Sequence, residues 1–169
     1  MKHYSLTTLL NTFSTKTGKK RTIFNGTPVG GTSSALVKAL LFSLPLLEYA
    51  AIFNPFVFTK LGIVTAIVMY IVGMSLIMMA IFLIILKTRK QVLLKINDSW
   101  HQYFPSVDIK MLLATGITPY SDFFKYYGEY ARMQLSEEEL YTKLQNAFIL
   151  MQEENKELLI AIEKDNKNI

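Results

Sequence analysis

Apolar and polar positions divide this chain into three unlike parts. Polar residues with scattered leucines fill positions 1–34. Two apolar stretches follow at 39–58 and 61–86, and the second, 26 residues long, contains no charged residue. As a helix it would span about 39 Å, more than the roughly 30 Å of bilayer hydrocarbon. Beyond Leu86 the pattern returns to short apolar repeats of helical period. The reading is an all-α membrane protein: a basic N-terminal arm (1–34), a two-helix transmembrane hairpin (35–87, with spans at about 37–58 and 61–86) and a small helical cytoplasmic domain (88–169).

Local signals refine each part. In 1–13, Tyr4, Leu6, Leu9, Leu10 and Phe13 form one apolar side of a short helix, expected to lie on the membrane surface or to fray. Gly26, Pro28, Gly30 and Gly31 mark a loop, after which Thr32, Ser33 or Ser34 can cap the first span. Asn54-Pro55 and Thr59-Lys60 mark a reversal. The second span has no breaker before Pro105, so it should continue to about Tyr103. Ser106 can cap a short helix ending near Gly116, and Thr118-Pro119 can begin another that carries Tyr120, Phe123, Phe124, Tyr126, Tyr127 and Tyr130. Ser136 with Glu139 forms a capping box, strengthened by Glu137 and Glu138, for a last helix from about 137 to 164.

That last helix carries a 3-4 alternation through Tyr141, Leu144, Phe148, Met151, Asn155, Leu158 and Ile162. A narrow seam of this kind is the core of a coiled coil, with Asn155 able to set register against a partner. Leu140, Ala147, Leu150 and Leu159 widen the stripe, which favours packing on the aromatic helix of its own domain.

Charge then sets orientation. Residues 1–95 hold eleven Lys/Arg and one acid; residues 96–169 hold seven Lys/Arg and twelve acids. Lys38 precedes the first span and Lys87, Arg89, Lys90 and Lys95 follow the second, while the connection holds only Lys60. The positive-inside rule places both termini on the cytoplasmic or matrix side of an energy-transducing membrane, bacterial inner membrane first and mitochondrial inner membrane second. Lys16, Lys19, Lys20, Arg21, Lys87, Arg89 and Lys90 are candidate contacts to anionic lipid headgroups, which are a nearer partner for this basic charge than nucleic acid. The arm's lack of acids resembles a transit peptide, but with only one arginine it reads as a retained cytoplasmic-type arm.

Candidate chemistry is sparse. There is no cysteine, and His3 and His101 are the only histidines. No phosphate loop, dinucleotide fingerprint or Ser-His-Asp set is readable, so no catalytic residue, cofactor or metal is expected. Trp100, His101, Tyr103 and Phe104 read as an interfacial aromatic belt. The costly residue is Glu48, a carboxyl at mid-span that must be paired or neutralised. Pro45 leaves the Leu41 carbonyl free one turn away. Counting depth from a turn near Thr59-Lys60 puts Tyr70 opposite Glu48. Gly62, Ala66, Gly73 and Ala80, with Tyr70, form a small-residue stripe suited to close helix packing. Glu48 is open to three readings: a neutral structural acid, a contact to another subunit, or part of an ion path. The expected function is a non-enzymatic accessory or scaffold subunit of a hetero-oligomeric membrane complex, of secretion, conjugation, motor or respiratory type. The alternative is a homo-oligomeric pore or ion-conducting ring that uses Glu48.

Overall fold

The computed structural model describes residues 3–167, and every regular element among them is helical. In chain order these are α1 (Leu6–Phe13), a 3-10 turn (Thr27–Val29), α2 (Ser34–Ile52), α3 (Pro55–Tyr103), α4 (Ile109–Leu113), α5 (Phe123–Tyr130), α6 (Glu137–Glu154) and α7 (Lys156–Lys167). They divide into two units. One combines Met1–Thr22 with Leu93–Ile169; the other is Ile23–Val92.

The first unit is a helical core assembled from both ends of the chain. Leu6, Leu9, Leu10 and Phe13 of α1 are fully buried in it, with Ile96, Trp100, Leu113, Phe123, Leu144 and Met151. The arm's helix is therefore a core element of this unit, and the expectation of a surface-lying helix is corrected. Eight residues with one apolar face suit a bilayer or a protein groove equally, and here the protein supplies the groove. Phe148 is its hub. Its ring lies 4.9 Å from that of Phe104, 5.3 Å from Phe123, 5.6 Å from Tyr120 and 6.2 Å from Trp100. Trp100 and Phe104 thus belong to the core and not to an interfacial belt, and the Trp100 indole donates to the Val107 carbonyl at 2.8 Å.

Caps and close approaches hold the unit together. Glu137 accepts from the Leu6 amide at 2.8 Å and from the Tyr103 hydroxyl at 3.3 Å, so one carboxylate in the first turn of α6 also serves the start of α1. Gly18, at φ 76°, passes against α5, where an added Cβ would lie 2.5 Å from the Gly128 Cα. Burial pushes the Tyr127 phenol above its ordinary value, opposed by a hydrogen bond to Ser14.

Helix limits follow local chemistry. The Ser136–Glu139 capping box forms, with the Glu139 amide donating to Ser136 Oγ at 3.3 Å and the Ser136 amide donating to Glu139 Oε2 at 2.9 Å. These bonds to the charged form hold the Glu139 carboxyl below its ordinary value. Asp108, not Ser106, caps α4, accepting from the Lys110 amide at 2.8 Å. The aromatic helix starts at Phe123, since Thr118–Ser121 is a turn closed by the Ser121 hydroxyl. The last helix is two: α6 stops at Glu154, and Asn155 leaves helical geometry at φ −112°, ψ 27° before α7 begins.

The second unit holds the two apolar helices. Their most apolar 18-residue windows have mean hydropathies of 1.7 and 2.7, and almost none of either window is buried. Each is long and apolar enough to cross a membrane. The first ends at Ile52, short of the expected 58, because Asn54 turns the chain: its side chain accepts from the Phe56 amide at 2.8 Å. α3 restarts after Gly62, which is non-helical at φ 69°, ψ 165°, and then continues unbroken to Tyr103. The base of α2 is fastened by loop 23–33. Asn25 Oδ1 accepts from the Thr27 and Ser34 amides, Ser33 caps the helix, and Phe24 and Val29 are buried.

Candidate functional site

The site is built around Glu48, in the last quarter of α2 and four residues before its end at Ile52, so the mid-span position expected for a span running to 58 is corrected for this helix. Pro45 stands inside the helix three residues earlier, where its ring removes an amide donor and frees the Leu41 carbonyl. The Glu48 side chain is half-buried and runs to α3, where its Oε1 fills the space a Cβ on Gly73 would occupy. Only glycine admits the carboxylate there. Its other oxygen, Oε2, is fully covered and makes no hydrogen bond; it is the only such buried side-chain atom among the described residues. An unmet buried acceptor costs about 1–3 kcal/mol, more when charged, so this atom needs a reason.

Tyr70 is not the group that meets it. The phenol ring packs edge-on against Tyr49 at 6.1 Å and Phe53 at 5.8 Å, and Tyr49 and Phe53 stack at 4.9 Å. The depth count brings Tyr70 level with Tyr49. Successive side chains on a helix point about 100° apart, so Tyr49 takes the phenol while Glu48 reaches Gly73, close to one turn along α3. Ala66 is fully buried, but Ala80 is exposed and Gly62 is a turn residue with open space around it. The small-residue stripe therefore reduces to Ala66 and Gly73. A positive φ takes Gly62 out of helical register, and Ala80 faces away.

The candidate headgroup residues divide. Lys16, Lys19, Lys87 and Lys90 are exposed. Lys20 instead donates to the Leu113 and Ala114 carbonyls, both at 3.0 Å, closing the C-terminus of α4, and lies 5.7 Å from the Phe124 ring. Arg21 donates to the Ser14 carbonyl at 2.6 Å. Arg89 sits over Phe24 at 5.4 Å.

The residues of the 3-4 alternation also separate. Leu144, Phe148 and Met151 are buried, and Tyr141 lies against Tyr103 and Phe104. Asn155 ends α6 and donates to the Pro119 carbonyl at 3.2 Å and to Met151 at 2.9 Å. Its amide is spent inside the chain, not on a register partner. Leu158 and Ile162 are half-buried on α7.

Two groups escaped the sequence reading. Glu137 looked like a generic first-turn acid, and no local signal shows that it also ties down α1. Gly73 was visible as a small residue but not as the seat of Glu48. Among the described residues no three His, Asp or Glu side chains gather into a metal-binding group. No protein-family model matches the chain, and comparison with curated proteins and with solved structures finds no similar one.

Proposed function

We propose that this chain is a non-enzymatic accessory or scaffold subunit of a multi-protein membrane assembly. Its α2 and α3 anchor it as a transmembrane hairpin, and its helical unit stands on the cytoplasmic side of a bacterial inner membrane or the matrix side of a mitochondrial one. One observation carries the reading. α1 precedes both apolar helices and α4–α7 follow them, yet they share a single core. A core closed from both sides of the apolar segment requires an even number of crossings between its two parts. The two bare helices supply two, with Phe42, Leu46 and Val64 each 70% exposed or more. Uncovered apolar area of that extent is stable in lipid and a liability in water. The flanking Lys38, Lys87, Arg89 and Lys90, against Lys60 alone at the turn, support the cytoplasmic side.

A hairpin of two helices encloses no pathway by itself, and the acid of α2 that sits against Gly73 has an unmet oxygen, so the reading gives it other subunits. Native mass determination after extraction in mild detergent tests this. A complex heavier than the chain, containing different proteins, is expected. A mass accounted for by copies of this chain alone would overturn the reading, and a closed ring of copies with Glu48 at each interface would establish the pore alternative.

A further inference from the structure

We infer that Glu48 is the docking point for a membrane-spanning helix of a different subunit, one that carries a lysine or arginine at mid-span. The inference rests on the accessory-subunit reading and names its partner's chemistry. Oε2 makes no hydrogen bond, although hydroxyls lie within a turn or two of Gly73. The Ser75 hydroxyl donates to the Ile71 carbonyl at 2.8 Å, and the Tyr70 ring packs edge-on against the stacked Tyr49 and Phe53. The donor that Glu48 lacks is not supplied by this chain. A second copy cannot supply a cation at that depth either. Within 39–58 and 61–86 the only charged residue is Glu48, and Lys38 and Lys60 lie at the ends of the spans. A carboxylate in hydrocarbon is met most strongly by a charge-assisted bond from Lys or Arg. Gly73 gives the unpaired acid a recess. The side chain is only partly covered there, and its rotatable bonds let it turn outward when a cation arrives.

The test uses the full chain in its own membrane, with a benzophenone amino acid at Leu47, an exposed neighbour of Glu48. The expected crosslinked peptide comes from a different protein and has a Lys or Arg within one turn of the attachment point. E48Q, which keeps the shape but removes the charge, should lower the crosslink yield about three- to thirtyfold, the range an interhelical polar contact supports. E48K should abolish it, and an acidic replacement of the partner's basic residue should restore it. A crosslink to a second copy, a partner span without a basic residue, or an unchanged yield in E48Q would overturn the inference while leaving the accessory-subunit reading in place. A preparation containing no other subunit would overturn both.

Discussion

Truncating Phe13 to alanine probes the least expected feature of the fold, the burial of the N-terminal helix. Phe13 is fully buried, and its ring stands edge-on to Trp100 at 5.9 Å and to Phe124 at 6.3 Å. Removing a buried phenylalanine costs about 3–5 kcal/mol, since the surroundings relax only partly into the space. In a unit of roughly 100 residues each kcal/mol moves the midpoint by about 4–8 °C. Phe13→Ala should therefore lower the melting temperature by on the order of 15–30 °C. The chain carries its own reporter: Trp100 is the only tryptophan and is fully buried within the same core. Its emission should move to longer wavelength as the unit opens. Lys16→Ala, at an exposed position three residues on, should leave the transition within a degree or two. If Phe13→Ala shifts the transition no more than Lys16→Ala does, α1 is not part of the core, and the argument for an even number of crossings fails with it.

Other consequences can be checked in the same preparation. Gly18 and Gly62 both have φ near 70°, but only Gly18 lies against backbone, so Gly18→Ala should destabilise by several kcal/mol and Gly62→Ala by about 1–2; equal losses in denaturant melts would contradict the close approach to Gly128. Glu139 is held below its ordinary value of 4.5 by its bonds to Ser136. Its contribution is therefore present above that pH and fades as pH falls through the lowered folded value. Glu139→Gln should flatten this part of the pH dependence of helix content, and an unchanged profile would remove the capping box as its cause. Because the chain has no cysteine, Tyr49→Cys with Tyr70→Cys should be bridged efficiently by a short bifunctional thiol reagent. A pair that reacts no better than Leu46→Cys with Tyr70→Cys would deny the ring contact between α2 and α3.

What could be read from the sequence was mostly local. The apolar runs, the Ser136–Glu139 box, a cap for α2 somewhere in 32–34 (Ser33 in the structure) and the continuation of α3 to Tyr103 each depend on neighbours a few residues apart. Glu48 was conspicuous because nothing else in the spans is charged. The fate of α1 was not legible, because its partners lie some 90 to 140 residues away and an eight-residue amphipathic pattern does not say which apolar surface it meets. The break at Asn155 was hidden by the apolar stripe, which continues through it; what stops α6 is a side-chain bond to Pro119, a residue 36 positions back. Counting depth brought the right turns of α2 and α3 together. It could not say which way each side chain points around its helix, and that angle gives Tyr70 to Tyr49 and Glu48 to Gly73.

In the proposed topology the two apolar helices cross a membrane and return, with both parts of the folded unit on one face. Single cysteines at Lys16, Thr59 and Lys164, all exposed positions, decide it when a membrane-impermeant maleimide is applied separately to each face of sealed vesicles. Lys16→Cys and Lys164→Cys should react only from the cytoplasmic or matrix face and Thr59→Cys only from the opposite one. Labelling of all three from a single face would show that the helices do not span, and labelling of Lys16→Cys and Lys164→Cys from opposite faces would break the hairpin.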